Sequence, residues 1–218
     1  MKIGVVGLGF VGLSLTSVLS SKGYDTVGID INKEKCKKIS KGISPFFEPE
    51  LEKILKNGLK KKLKISNDFS LINNCDFLFV TVGTPQNTNG SIDLSIIKKA
   101  ISTIGESLKK NKKKPIIFVK STVTPGTMKK IILPILEKKS NKKAGKDFGL
   151  ISNPEFLQES SAIKDTKFPH VVVLGGYQTK FMKKAKIFFM KLHPNVPIII
   201  TNHETAEMIK YANNSFLA

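Results

Sequence analysis

The chain has 218 residues, of which 40% are hydrophobic and 24% are charged, as in an ordinary globular domain with a sizeable core. Its formal net charge at pH 7 is +19, and all 36 basic residues are lysine. Recognition of DNA or RNA relies on arginine forks and on aromatic side chains among the basic residues, and this sequence offers neither. The composition therefore favours a lysine-rich solvated surface and argues against specific nucleic-acid binding.

Targeting and metal-binding signals are also missing from the sequence. No apolar run approaches the roughly 20 residues that a membrane helix needs, and the start of the chain has no signal-peptide pattern. The two cysteines, Cys36 and Cys75, and the three histidines show no metal-ligand spacing. We therefore expect a cytoplasmic protein with no metal site and no membrane association.

Apolar segments and helical patterns alternate along the chain. Strands are predicted over residues 2–6, 25–30, 63–66, 76–82, 115–120, 148–152, 171–174 and 197–200. Helices are predicted at 11–21 and 33–41, after 49, from a cap at Asp93 to about 110, from Thr124-Pro125 onward, and at 177–192. The pattern predicts an α/β fold of the Rossmann-type doubly wound class, with a mostly parallel sheet and flanking helices.

The last segment predicts a helix that is still running at the final residue. Residues 201–204, TNHE, form a capping box, and neither a glycine nor a proline stops the helix that follows. We expect one domain over residues 1–200 and the start of a long connecting helix over 201–218, with Phe216 unburied. The interrupted helix indicates that residues beyond Ala218 are absent.

A glycine-rich turn directly follows the first strand. Residues 7–12, GLGFVG, form a GxGxxG pattern between a strand and a helix, the context that dinucleotide binding requires. Gly7 permits a tight turn, Gly9 allows the backbone to approach a pyrophosphate, and Gly12 allows close packing of helix on strand. Asp30 ends the second strand, where a carboxylate can bond the ribose hydroxyls. Because this carboxylate repels a 2′-phosphate, the expected cofactor is NAD and not NADP.

Further motifs follow in a characteristic order. They are SPFFEP at 44–49, VGTP at 82–85, KSTVTPGT at 120–127, NPEFLQE at 153–159, and Lys210 with Asn214 on the last helix. Over essentially its whole length the chain thereby resembles the UDP-glucose/GDP-mannose dehydrogenase family. KSTVTPGT and NPEFLQES are highly specific to it, and NPEF resembles the UDP-glucose and GDP-mannose branch more than the N-acetylhexosamine branch.

The resemblance implies oxidation of the C6 hydroxyl of a nucleotide sugar to a carboxylate, with two NAD as hydride acceptors. A cysteine thiolate captures the intermediate aldehyde, and a thioester is then hydrolysed. UDP-glucose is the expected substrate, and GDP-mannose or a UDP-N-acetylhexosamine is the alternative. The family forms dimers around the connecting helix, so a homodimer is expected of a full-length protein.

The resemblance also gives roles to individual residues. Lys210 and Asn214, four residues apart on one helix, would hold the C6 oxyanion, and Glu155 would transfer protons or activate water. The implied catalytic residues are Thr122, Glu155, Lys210 and Asn214. The implied substrate contacts are Glu155, Phe156, Leu157, Lys210 and Asn214. The implied NAD contacts are Gly7, Gly9, Phe10, Val11, Gly12, Asp30, Lys35, Thr84, Thr122 and Glu159.

The sequence departs from the family in one large respect. The nucleophilic cysteine belongs to a glycine-rich segment after the Lys210–Asn214 helix, and the sequence ends before it, as it does before the nucleotide-sugar-binding domain. Cys36 and Cys75 lie in no matching motif, and we expect both to be buried structural thiols. The chain alone is therefore expected to be inactive.

Three other hypotheses remain at this point. The chain could be a stand-alone dinucleotide-binding or regulatory module, a nucleic-acid binder driven by its charge, or a hydroxyacid dehydrogenase, although KSTVTPGT and NPEFLQES argue against the last. Outside the motif, Glu155 and Glu159 would be ordinary acids of a first helical turn, and Lys210 would be one more solvated lysine.

Overall fold

The computed structural model describes residues 1–158 and 160–217, without the side chain of Leu217. Its strands are β1 (Lys2–Val6), β2 (Asp25–Ile29), β3 (Leu63–Ser66), β4 (Phe77–Val80), β5 (Ile116–Val119), β6 (Gly149–Ser152), β7 (Val172–Gly175) and β8 (Ile198–Thr201). Its helices are α1 (Phe10–Ser21), α2 (Lys33–Ser40), α3 (Leu51–Leu59), α4 (Ser95–Lys110), α5 (Leu133–Ser140), α6 (Ala162–Lys167), α7 (Thr179–Leu192) and α8 (His203–Leu217). The strands lie where the apolar segments predict them, whereas α6 was not predicted.

The strands form one sheet in the order β3-β2-β1-β4-β5-β6-β7-β8. Every neighbouring pair is parallel except β6 and β7, which meet antiparallel through Ser152 and Gly175. The first six strands have the order of a doubly wound dinucleotide-binding fold, which confirms the predicted fold class. The order reverses between β1 and β4, so the carboxyl ends of these strands border the crevice where such folds bind their ligands.

Helices cover both faces of the sheet. On one face, α4 buries Ile97, Ile101 and Ile104, at helical spacing, against side chains such as Leu78 and Ile117. Within the described ranges, no helix is long and apolar enough to cross a membrane.

On the other face, α1 and α7 pack against an aromatic cluster. The rings of Phe79 and Phe118 stack with centroids 4.8 Å apart, and Phe188 and Phe189 of α7 pack against them. Burial of apolar side chains on both faces holds the strand ends, and with them the loops that follow, in fixed positions.

Two helix starts differ from the predictions. Thr124 and Pro125 do not begin a helix, because Gly126 has a positive φ of 92° and the chain turns there before a π-helical segment, Met128–Ile132, leads into α5. The start of α8 is capped by Asn202 and not by Thr201: the Asn202 Oδ1 accepts the Thr205 N–H at 2.8 Å, while Thr201 is still part of β8.

Candidate active site

The turn between β1 and α1 contains two glycines that no larger residue could replace. Gly7 has a φ of +97°, and a Cβ added there would lie 2.8 Å from the Val82 nitrogen. A Cβ on Gly12 would lie 1.8 Å from the Gly7 carbonyl oxygen and 2.5 Å from the Thr81 hydroxyl. A Cβ on Gly9 would meet nothing within 4 Å, so this face of the turn is open to a ligand.

The start of α1 presents backbone donors to this opening. The first bond within the helix runs from the Leu13 N–H to the Gly9 oxygen at 2.9 Å. The N–H groups of residues 10–12 therefore have no acceptor inside the helix, and no side chain of the described residues caps them. Free N–H groups at the positive end of a helix dipole fit the pyrophosphate of a dinucleotide.

Asp30 lies beside this turn with an ordered carboxylate. Its Oδ2 accepts the Leu8 N–H at 2.9 Å and the Lys35 ammonium at 2.8 Å, and its Oδ1 accepts the Asn32 N–H at 3.0 Å. Burial opposes ionisation of this group, but the hydrogen bonds and the charge of Lys35 outweigh burial and lower the pKa of Asp30. Asp30 is therefore an ionised acceptor at neutral pH, as the ribose hydroxyls of NAD require.

A cleft of about 570 Å³ extends from the glycine turn to α4. Of the residues predicted to contact NAD, Gly7, Gly9, Asp30 and Lys35 line it. Gly12 is buried behind the turn, while Phe10 packs on Phe46 with ring centroids 5.4 Å apart, so SPFFEP meets the start of α1. Glu159 lies outside the described residues.

A second cleft, of about 160 Å³, begins at Val11 of α1. Its wall combines the apolar Leu15, Phe79 and Val172 with the polar groups of Lys120 and Asn153 and with Glu155, Phe156 and Leu157 of NPEFLQE. Three of the predicted substrate contacts therefore line one cleft, which reaches Val11 in the first turn of α1.

Glu155 and Lys210 form an ion pair at this site. The Lys210 Nζ lies 3.0 Å from the Glu155 Oε1, and the two side chains are only 8% and 14% exposed. The Lys210 ammonium also lies 5.5 Å from the centre of the Phe156 ring, in a cation–π contact. Asn214 lies four residues further along α8 and is exposed. Lys210 is thus a buried cation and not one more solvated lysine.

Glu155 is also not an acid in a first helical turn. Residues 153–158 form no regular secondary structure, and the Glu155 Oε2 accepts the Leu157 N–H at 2.6 Å. One carboxylate oxygen therefore orders the loop, and the other faces Lys210.

Thr122 and Thr84 lie on two loops that are tied together. The Thr84 hydroxyl donates to the Thr122 carbonyl oxygen at 2.7 Å, and the Ser121 hydroxyl donates to the Val82 carbonyl oxygen at 2.7 Å. The loop after β4, which begins at the first cleft, is thereby fixed to the loop after β5, which begins at the second.

Lys120 is a site residue that the sequence prediction missed. Its ammonium lies 3.3 Å from both the Asn153 carbonyl oxygen and the Asn153 Oδ1. Burial lowers the pKa of Lys120 from 10.5 to about 8; the negative charge of Glu155 opposes this shift and the positive charge of Lys210 adds to it. Residue type does not distinguish Lys120 from the other lysines among the 36 in the chain. The available signal was its place at the first position of KSTVTPGT.

The two cysteines are buried and free, as predicted. Burial raises the pKa of Cys75 to about 12 and also raises the pKa of Cys36, whose thiol lies 3.4 Å from the Asp30 carbonyl oxygen. Neither is an activated nucleophile. In the described ranges, no three side chains of His, Cys, Asp or Glu come together as metal ligands.

Substitutions of Gly9 and Gly12 by alanine should have different effects. We expect Gly12→Ala to lower the melting temperature strongly, because its methyl group would overlap the Gly7 carbonyl oxygen. Gly9→Ala should keep the melting temperature but weaken NAD binding about tenfold or more, because its methyl group would occupy the approach to the pyrophosphate. Thermal unfolding and calorimetric titration test the pair, and a Gly9→Ala variant with unchanged NAD affinity would contradict the assignment.

Lys120 should titrate near pH 8. Its ammonium loses the proton at a lower pH in the folded chain than in the unfolded chain, so between about pH 8 and 10.5 the free energy of unfolding should rise with pH. Lys120→Met should lack this rise. In the ¹³Cε spectrum of labelled lysines, one resonance should titrate near pH 8 and vanish in Lys120→Met. Titration of every lysine near pH 10 or above would contradict the assignment.

Comparison with known proteins agrees with this geometry. Residues 1–193 match the model of the UDP-glucose/GDP-mannose dehydrogenase family, NAD binding domain. The GDP-mannose 6-dehydrogenase of Pseudomonas syringae pv. tomato is 41% identical over 98% of this chain and 49% of its own length. The UDP-glucose 6-dehydrogenase of Haloferax volcanii is 34% identical over 100% of this chain and 51% of its own length.

A solved structure shows the same arrangement of elements. The crystal structure of a ternary complex of GDP-mannose dehydrogenase from Pseudomonas aeruginosa superimposes with a TM-score of 0.95 at 38% identity, over 100% of this chain and 50% of that one. The chain thus spans about half the length of the relatives it matches. The chain belongs to the UDP-glucose/GDP-mannose dehydrogenase family, and its residues 1–193 match the NAD-binding domain of that family.

Proposed function

We propose that this chain is the cofactor half of a nucleotide-sugar 6-dehydrogenase, which oxidises the C6 hydroxyl of a nucleotide sugar to the carboxylate with NAD. The observation that carries the proposal is the largely buried ion pair between Lys210 and Glu155, at 3.0 Å, in which Glu155 lines the cleft that begins at Val11. A stand-alone NAD-binding module has no need for a buried acid and base beside its cofactor cleft. An enzyme that moves protons during hydride transfer does.

The first cleft is proposed to hold the adenosine half of NAD. Gly7, Gly9 and Gly12 bring α1 to the pyrophosphate, and Asp30 with Lys35 meets the ribose hydroxyls. Phe10, Val11, Thr84, Thr122 and Glu159 are the further contacts that the family resemblance assigns. Bound NAD would supply the hydride acceptor at the nicotinamide end.

The second cleft is proposed to hold the reacting end of the sugar. Lys210 would stabilise negative charge on the C6 oxygen, together with the amide of Asn214. Glu155, with Thr122, would take or return protons or hold a water molecule, and Phe156 and Leu157 would contact the sugar. Lys120, held by Asn153, would keep the loop that carries Glu155 in position.

The substrate is proposed to be UDP-glucose or GDP-mannose. NPEF favours this branch, and the chain is similar both to GDP-mannose 6-dehydrogenases, at up to 41% identity among the relatives compared, and to a UDP-glucose 6-dehydrogenase, at 34%. The greater similarity to the former raises GDP-mannose to equal standing with UDP-glucose. A UDP-N-acetylhexosamine is the third candidate.

The domain boundary and the assembly are also proposed from the family. Residues 1–200 would form the NAD-binding domain and 201–218 the start of the connecting helix, leading to a second, nucleotide-sugar-binding half that brings the cysteine nucleophile. Phe216, which is 91% exposed in the chain alone, would be covered there or in a homodimer. We also propose a cytoplasmic location, where NAD and nucleotide sugars are available.

Cofactor choice should follow from Asp30. The chain is expected to bind NAD at least tenfold more tightly than NADP, because the ionised Asp30 repels a 2′-phosphate, although Lys35 softens the clash. Asp30→Asn should reduce the difference between the dissociation constants for NAD and NADP. Calorimetric titration with both cofactors measures it, and equal or tighter binding of NADP by the unmodified chain would refute the role of Asp30.

Turnover should require more than this chain. The 218 residues alone should bind NAD without releasing NADH, because no activated thiol is present to capture the aldehyde and remote binding energy cannot position the sugar. A chain extended by the second half should release two NADH per uronate formed from UDP-glucose or GDP-mannose. The matched control is the extended chain with Lys210→Ala, which should lose about 10²–10³ in rate. Steady NADH release by the 218 residues would contradict the proposal.

A further inference from the structure

A buried carboxylate that neither the motifs nor the proposed reaction uses connects α8 to the loop after β5. Glu207 is 2% exposed and lies three residues before Lys210 on α8. Its Oε2 accepts the Gly126 N–H at 2.6 Å, and its Oε1 accepts the Met128 N–H at 2.8 Å. Both oxygens are therefore engaged, by two backbone donors about 80 residues away in the chain.

The two donors belong to the turn that begins the helix leading into α5. Gly126 has a φ of +92°, and the π-helical segment starts at Met128, so these N–H groups have no acceptor inside that helix. A helix start is normally capped by a residue just before it. Here Thr124 pairs instead with the Thr127 hydroxyl, and the cap comes from α8.

The capped turn ends the segment that carries Lys120 and Thr122. At its other end this segment is already tied to the loop after β4, through Ser121 and Val82. Glu207 therefore ties the segment to α8 through two buried hydrogen bonds. Three residues further along α8, Lys210 meets Glu155.

Two further contacts of α8 face a different part of the fold. The His203 Nε2 lies 3.0 Å from the Leu150 carbonyl oxygen. Ala206 packs closely on Gly175, because a Cβ added to Gly175 would lie 2.4 Å from the Ala206 Cβ. These contacts place α8 on β6 and β7 but do not reach the loop after β5. Besides Glu207, Glu204 of α8 reaches that segment through a pair with Lys129 at 3.9 Å, but neither side chain is buried, and such pairs contribute little. Glu207 therefore makes the buried contact between α8 and the loop after β5.

We propose that Glu207 is a positioning residue. Its two hydrogen bonds fix α8 against the loop that carries Thr122 and thereby keep the Lys210 ammonium within ion-pair distance of Glu155. The proposal deepens the proposed function, since it concerns the same site. Glu207 lines neither of the two clefts, so it would act through Lys210. A carboxylate is needed because both of its oxygens accept; an amide would place an NH₂ donor against one of the two N–H groups.

Chemical labelling of Lys210 tests the positioning without any catalysis. In the 218-residue chain, acetylation of Lys210 by an N-hydroxysuccinimide ester, followed by peptide mass mapping, should be slow. Glu207→Gln should raise that rate about tenfold, because loss of a charge-assisted hydrogen bond frees the helix locally. Lys142, whose ammonium donates to the Asn111 carbonyl oxygen, is the internal reference for global loosening and should keep its rate.

Glu137→Gln is the matched control variant. Glu137 is also a part-buried glutamate that accepts a backbone N–H, from Ala144 at 3.1 Å, but at the other end of α5. It should leave the labelling of Lys210 unchanged. If Glu207→Gln does not fold, Glu207→Asp keeps the charge with a shorter reach and should give a smaller rise of the same kind.

The extended enzyme gives a second readout. Glu207→Gln should lower kcat about tenfold with the KM for NAD within about twofold, and it should cost much less in a Lys210→Ala background, since coupled residues are not additive. Unchanged labelling of Lys210, or a rise shared by Lys142, would overturn the proposal. An inactive unmodified extended enzyme would refute the proposed function instead, and the labelling would still decide the role of Glu207.

Discussion

Helix α1 lies against the end of β1 with no room for one methyl group, and the rest of the site depends on this contact. The missing side chain at Gly12 lets the helix approach the Gly7 carbonyl oxygen and the Thr81 hydroxyl, and it brings the free N–H groups of the first helical turn to the point where the strand order reverses. The position of Asp30 follows from the same contact, because its Oδ2 accepts the Leu8 N–H inside the turn. One steric constraint thus positions both the helix N–H groups and the Asp30 carboxylate at the cleft proposed for the dinucleotide.

From this edge the structure extends the site through hydrogen bonds between loops and not through new secondary structure. Thr84 and Ser121 tie the loops after β4 and β5 together, Lys120 holds the loop after β6 through Asn153, and Glu207 joins α8 to the loop after β5. The bonds of Thr84, Ser121 and Lys120 join residues that follow the carboxyl ends of neighbouring strands, whereas Glu207 lies near the start of α8. Residues from distant parts of the sequence that are proposed as acid, base and cofactor contacts therefore meet along one edge of the sheet.

The sequence predicted what depends on short-range pattern. Continuous apolar strands predicted the parallel sheet, and GLGFVG with Asp30 indicated the cleft proposed for the cofactor, because strand, turn and helix are adjacent in the chain. Lys120, Asn153 and Glu207 escaped prediction because their roles depend on partners far along the chain. The start of the π-helical segment before α5 shows the reason. Thr124-Pro125 has the local signature of a helix start, yet the positive φ of Gly126 and the distant Glu207 decide where the helical segment begins.

Mapping of backbone amides by NMR tests most directly whether the carboxyl edge around β1 and β2 binds NAD. Addition of NAD to the ¹⁵N-labelled chain should shift the amides of Leu8, Gly9 and Asn32. The amides of Lys2 and Asp76, at the opposite edge of the sheet, should stay unchanged. No shift at saturating NAD, or the largest shifts at that opposite edge, would contradict the account.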